Sequence, residues 1–138
     1  MTDRLTDMLS RRPWLLADGA TGTNLFALGL QHGDAPELWN LEEPGKVRAH
    51  YRSFLEAGAD LVLTNTFGGT RNRLKLHGLE GRVREINAAA ARLLKAEIAA
   101  GGREALCAGD VGPTGDILAP VGELSHADAV AAFREQME

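Results

Sequence analysis

Among 138 residues there is one cysteine, Cys107. A single thiol excludes an internal disulfide and a cysteine-rich zinc site built from these residues alone. Aromatic residues make up only 5% of the chain, and no run of Lys and Arg is longer than Arg11-Arg12. The basic footprint of a nucleic-acid binder is therefore missing. Apolar runs are short: Leu61-Val62-Leu63 falls far below the roughly 18–20 residues of a membrane span, and Met1-Thr2-Asp3-Arg4 lacks the apolar core of a signal peptide. These absences predict a cytoplasmic protein without nucleic-acid or membrane partners. His32, His50, His77 and His126 form no i, i+4 pair and no H-E-x-x-H arrangement, which points to surface or loop positions.

What remains is an ordinary globular composition. Hydrophobic residues make up 44%, glycines number 16, and 15 Lys+Arg against 19 Asp+Glu give a net charge of −4. The length suits about one domain. Three short apolar runs stand out, each ending in a cluster of Gly, Thr, Asn or Asp. Trp14-Leu15-Leu16-Ala17 leads into Asp18-Gly19-Ala20-Thr21-Gly22-Thr23-Asn24. Ala59-Asp60-Leu61-Val62-Leu63 leads into Thr64-Asn65-Thr66-Phe67-Gly68-Gly69-Thr70. Ala105-Leu106-Cys107-Ala108 leads into Gly109-Asp110-Val111-Gly112-Pro113-Thr114-Gly115. None alternates polar with apolar, so they read as strands buried on both faces of a parallel sheet, arranged as an internal repeat.

Helical spacing separates the runs. An amphipathic segment covers roughly Thr2 to Arg12. After Pro44, residues Val47, Tyr51, Phe54 and Leu55 share one face until Gly58 ends the pattern. From Gly81 to Ala100, an alanine-rich stretch places Val83, Ile86, Ala90, Leu93, Leu94 and Ile98 on one stripe and halts at Gly101-Gly102. A last pattern starts at Ser125 as N-cap and runs through Ala129, Val130 and Phe133 to the end of the sequence. Trp39 and Tyr51 are expected in the core, and Cys107, inside an apolar run, is expected to pack rather than react.

Strand followed by helix, repeated, is the βαβ pattern, and right-handed crossovers set the strands parallel with the helices outside. Two closures satisfy it: an open doubly wound sheet, or part of a (β/α)8 barrel. A complete barrel takes about 250 residues. The three to four βα units here fit an α/β fold that is a partial TIM barrel, and the last helix with no following strand favours a piece over a small open sheet.

In either fold, ligands bind at the carboxyl ends of the strands. Asp18, Asn65 and Asp110 should converge there although far apart in sequence. The Asp18–Thr23 stretch matches neither the P-loop nor the G-x-G-x-x-G pattern. A carboxylate next to glycine-rich backbone N–H groups suits a zwitterion, with the ammonium on Asp18 and the carboxylate on the N–H groups. The same residues also suit a capped turn. Thr64-Asn65-Thr66 can position a polar substrate or satisfy loop backbone, and Asp110 can orient a ligand or start a turn.

Four motifs in order carry a resemblance. Leu16-Ala17-Asp18-Gly19-Ala20-Thr21-Gly22-Thr23, Pro36-Glu37-Leu38-Trp39-Asn40, Ala57-Gly58-Ala59-Asp60 leading to Thr64-Asn65-Thr66-Phe67, and Gly112-Pro113-Thr114-Gly115 resemble the N-terminal part of the homocysteine S-methyltransferase family. That family includes betaine–homocysteine methyltransferases and the homocysteine-binding module of methionine synthase. The resemblance implies a (β/α)8 barrel that moves a methyl group onto homocysteine, with residues 1–138 as the N-terminal segment of that domain. It implies zinc, held by three cysteines of later strands, keeping the substrate sulfur as thiolate. Cys107 lies outside that motif, so no metal ligand is expected in this chain.

By the same resemblance Asp18, Gly19 and Ala20 hold the amino-acid end of homocysteine, and Thr64, Asn65, Thr66 and Phe67 line its pocket. Betaine-using animal members carry an aromatic where this chain has Gly68-Gly69, which leaves betaine, S-methylmethionine or a methyl-folate as donor. Two other readings stay open. One is a non-catalytic half-barrel whose exposed strand edge pairs with a second copy or a complementary chain. The other is a barrel enzyme acting on a different small polar acid.

Overall fold

A computed structural model describes residues 3–138. Helix α1, Arg4–Arg11, is capped by Asp3, whose carboxylate accepts from the Thr6 N–H at 2.9 Å, and it buries Met8. Thr2, where the opening segment was predicted to start, lies outside the described residues. The first predicted strand is reduced to a single parallel bridge between Ala17 and Leu61. Trp14 and Leu16 are 67% and 47% exposed, so this run is not buried on both faces. The reason is cover: Trp14 and Leu16 belong to neither apolar cluster beneath the helices, so this edge run gains little burial on its faces.

Helix α2, Gly22–Ala27, follows the Asp18 loop and buries Leu25. A single 3-10 turn at Pro36–Leu38 runs into α3, Trp39–Glu42, and α4, Pro44–Glu56, opens with proline at its first position, where no N–H is needed. Gly58, at φ 102°, turns the chain from α4 into the sheet in a conformation other residues resist. Strand β1 is Leu61–Leu63. After it come α5, Arg71–Leu74, capped by Thr70, and α6, Val83–Gly101. Strand β2, Leu106–Ala108, pairs parallel with β1 in the register Leu61 to Leu106, Val62 to Cys107 and Leu63 to Ala108. Helix α7, His126–Met137, is capped by Ser125, which accepts from the Asp128 N–H at 3.0 Å.

The sheet is thus two parallel strands flanked by the bridged 14–17 segment, with helices packed on it. Leu25, Trp39, Val47, Tyr51, Val62 and Leu94 form the main core, and each fully buried Val or Leu contributes about 1.5–3 kcal/mol. The predicted stripes of α4 and α6 are the buried ones: Val47 and Tyr51 are buried with Phe54 and Leu55 half-buried, and on α6 Leu94 joins this core while Val83 and Ile86 form a second cluster with Leu74. In α7 the face differs from expectation. Ala129, Ala132 and Gln136 are buried, and Val130 is exposed.

Two buried carboxylates tie the layers together. Asp60 accepts from the Leu16 N–H at 2.9 Å and pairs with Arg12 and Arg103 at 2.6 and 2.5 Å. Glu97 on α6 pairs with Arg48 and Arg52 on α4 at 2.5 and 3.0 Å.

Candidate functional site

The three polar clusters meet at the carboxyl end of the sheet. Asp18 donates its backbone N–H to the Leu61 carbonyl at 2.9 Å, and its Oδ2 accepts from the Leu63 N–H at 2.9 Å. The end of β1 therefore holds the carboxylate, while Oδ1 is enclosed and without a hydrogen-bond partner among the described residues. Burial raises the Asp18 pKa, against the opposing effect of the Leu63 N–H and of His50. Gly19 and Ala20, next in sequence, are exposed. Among the described residues their N–H groups donate to no backbone carbonyl.

Thr64, Thr66 and Asp110 form a closed hydrogen-bond circuit joining the loops after β1 and β2. The two threonine hydroxyls are 2.6 Å apart, Thr66 Oγ1 donates to the Asp110 carbonyl at 2.7 Å, and the Asp110 N–H donates to Thr64 Oγ1 at 3.0 Å. The Asp110 carboxyl is raised by burial first and by the Asp18 charge second, so the two acids share one electrostatic environment. Asn65 is used for anchoring. Its Nδ2 donates to the Pro36 carbonyl at 2.8 Å and to Asn40 Oδ1 at 3.1 Å, and its N–H donates to the Tyr51 hydroxyl at 2.8 Å. Phe67 is 59% exposed at a surface depression shared with Glu37 and Gly68.

A groove of about 630 Å³ runs beside the circuit, lined by Thr64, Thr66, Asn87, Cys107, Asp110 and Gln136 among others. Asp18 stands outside it, on the other side of β1. Cys107 is half-buried against the main core, and burial raises its pKa, so the thiol is the resting form.

Several residues the sequence reading passed over support this rim. Gln136 donates from Nε2 to the Thr66 carbonyl at 2.7 Å and lies 3.3 Å from the Asp110 carbonyl, so α7 clips both loops. Its helical spacing from Ala129 and Ala132 carried that signal. Gly69 is needed where Asn87 and Gln136 converge, since a Cβ there would fall 2.3 Å from Asn87 Oδ1. Glu37 is buried and accepts from the Gly68 N–H at 2.7 Å. His50 corrects an expectation: it is 3% exposed, buried on α4 rather than at the surface. It lies three residues after Val47 and four before Phe54, which places it on the apolar face.

A parallel α/β sheet with a polar rim at its carboxyl end defines a class of small-molecule-binding barrels and open sheets. Comparison narrows this. Residues 15–138 match the family description of homocysteine S-methyltransferase, and the chain belongs to that family. It is 33% identical over 140 residues to a methionine synthase of Mycobacterium tuberculosis (strain ATCC 25618 / H37Rv), covering 95% of this chain and 12% of that protein. The metallated form of the homocysteine methyltransferase MmuM from Escherichia coli superimposes with a TM-score of 0.80 at 25% identity, over 98% of this chain and 52% of that one. The oxidized form of MmuM gives a TM-score of 0.70 at 27% identity, over 83% of this chain. The chain therefore spans about half the length of that solved enzyme and a small part of the methionine synthase.

Proposed function

We propose that this chain is the first three to four βα units of a homocysteine-binding (β/α)8 barrel, and that the whole protein transfers a methyl group to the homocysteine thiol to give methionine. The observation that carries this reading is the unpartnered Oδ1 of Asp18 next to Gly19 and Ala20, exposed residues whose N–H groups donate to no backbone carbonyl among the described residues. A carboxylate takes the α-ammonium of the substrate, and adjacent N–H groups take its α-carboxylate. Thr64, Asn65, Thr66 and Phe67 form the loop that continues from β1, whose Leu63 N–H holds the Asp18 carboxylate. The first two polar loops then act as a receptor for the amino-acid end, which leaves the sulfur end to face the rest of the barrel.

Zinc belongs to this reading as a property of the whole enzyme. The residues of this chain do not fit it: among the described residues no three of His, Cys, Asp and Glu come together, and Cys107 is the sole cysteine. No step of the reaction is assigned to a metal held here. The donor set stays at betaine, S-methylmethionine or a methyl-folate.

The test is calorimetric titration of the whole protein with L-homocysteine. Asp18→Ala should weaken binding by about 1–3 kcal/mol, the scale for leaving a charged group unpaired. An unchanged Kd removes Asp18 from the site.

A further inference from the structure

Helix α7 reaches the rim through one side chain. Gln136 is 6% exposed; its Nε2 donates to the Thr66 carbonyl at 2.7 Å and lies 3.3 Å from the Asp110 carbonyl and 3.4 Å from Asn87 Oδ1. Asn87 on α6 carries the contact on, donating from Nδ2 to the Gly69 carbonyl at 2.9 Å. Two amides from two helices thus hold backbone carbonyls of the loops after β1 and β2. The loops are shaped to admit them. A Cβ at Gly69 would fall 2.3 Å from Asn87 Oδ1 and 2.9 Å from Gln136 Nε2, and one at Gly112 would fall 1.4 Å from the Phe67 carbonyl oxygen, so the loops also meet backbone to backbone. Gln136 Oε1 is enclosed without a partner among the described residues. A bare interior carbonyl opposes folding, and methionine would fill a similar volume without it. What methionine lacks is the N–H donor, and the donor is what this position supplies.

We propose that Gln136, with Asn87 behind it, is a positioning residue for the amino-acid site: it holds the 64–70 loop in one arrangement and so sets the affinity for homocysteine without touching it. The inference rests on homocysteine binding at this rim, as proposed above. The grip falls on the Thr66 carbonyl. It accepts from the Gly69 N–H at 2.9 Å within its own turn and from Gln136 across the interior. Thr66 stands three residues after Leu63, whose N–H holds Asp18 Oδ2, and the Asp110 carbonyl takes the Thr66 hydroxyl and Gln136 together. With the Gln136 donor gone, the Thr66 and Asp110 carbonyls lose their common tie and the loop samples more than one arrangement. Each substrate molecule must then order it, and binding weakens although no contact to the substrate has been removed.

The experiment is calorimetric titration of the whole protein with L-homocysteine, alongside hydrogen exchange of residues 64–70. Gln136→Met should weaken binding about tenfold, the scale of a lost internal hydrogen bond. In that variant the 64–70 amides should exchange faster than in the native protein and regain protection when L-homocysteine is added. Glu97→Ala loosens the α4–α6 joint, away from the rim, and should leave the Kd and this exchange as they are. A native Kd in Gln136→Met, or equal weakening in Glu97→Ala, overturns the proposal; so does native exchange at 64–70. Should Gln136→Met fail to fold, Asn87→Ala takes its place and should move both readouts in the same direction, and a native Kd there overturns the proposal. Asp18→Ala separates the two readings: weakened binding in that variant with a native Kd in Gln136→Met sinks positioning alone, while a native protein that does not bind L-homocysteine sinks both.

Discussion

Asp18 and Glu97 are both carboxylates withdrawn from bulk water, and their surroundings push them in opposite directions. Asp18 has one N–H donor and an idle oxygen, so burial dominates and its pKa rises. At Glu97 burial also pulls upward, but Arg52 and Arg48 outweigh it and the pKa falls. The first keeps an oxygen without a partner among the described residues, and the second is satisfied from within. At this scale Tyr51 gives a sharp prediction. Its hydroxyl accepts from the buried Asn65 N–H, so Tyr51→Phe strands that donor and should lower unfolding stability by about 1–3 kcal/mol. Urea denaturation reads this directly, and an unchanged midpoint means that Asn65 is held by its side chain alone. Residue-scale features divide by how legible they are. A carboxylate before Gly-Ala-Thr-Gly announces itself, whereas the anchoring use of Asn65 depends on Pro36 and Asn40, which no spacing rule connects to it.

Between elements, the parts of this fold are joined by buried acids with partly exposed arginine partners. The α4–α6 joint has Glu97, 2% exposed, between Arg48 and Arg52, 45% and 53% exposed. Truncating the acid removes both pairs at once and leaves two like charges four residues apart on α4, while truncating one arginine leaves the acid a second partner. Glu97→Ala should therefore cost about 1–3 kcal/mol, and Arg52→Ala less than about 1. Equal losses from the two variants, measured by thermal melting, would contradict this division. Asp60 performs the same task between the 14–17 segment and β1. Its carboxyl is held below the ordinary 3.8 first by the Leu16 N–H, against burial, and then by Arg12 and Arg103. A depressed carboxyl contributes fully above its ordinary value and loses that contribution as pH falls through the lower folded value. The native urea midpoint should thus drop between about pH 4 and 2, and Asp60→Asn should drop less over the same range. A parallel decline in both proteins would place the acid sensitivity elsewhere.

Helix faces were readable because period and burial coincide. The stripes of α4 and α6 in sequence are the stripes that pack inward, α6 dividing its stripe between two apolar clusters. The strands were readable only as apolar runs. Whether a run becomes a ladder depends on what packs against it: Val62 and Leu106 are buried in β1 and β2, whereas Trp14 and Leu16 are exposed and residues 14–17 make one bridge. In α7 an alanine-and-glutamine face is buried while Val130 is exposed. The hydrogen bonds of Gln136 to the loop carbonyls make its burial favourable despite its polarity.

The molecule as a whole leaves apolar surface uncovered. Trp14 is 67% exposed, Leu16 47%, Ile117 65% and Val121 86%. Such surface favours association with another surface. The 138-residue chain, expressed by itself, should show a sedimentation coefficient that rises with concentration, and Trp14→Lys should reduce the rise. A clean monomer with a cooperative melt would show that this exposed surface needs no partner.

The order of apolar runs, glycine-rich loops and helical stripes, all local properties of the chain, already specified a parallel α/β fold and a polar rim with Asp18 in it. Tertiary structure alone decided which rim residues stay unsatisfied. Asn65 spends its amide on Pro36 and Asn40, while Asp18 keeps an oxygen without a partner among the described residues. Whether a polar atom is satisfied depends on partners brought in from distant parts of the chain, and local spacing carries no record of them.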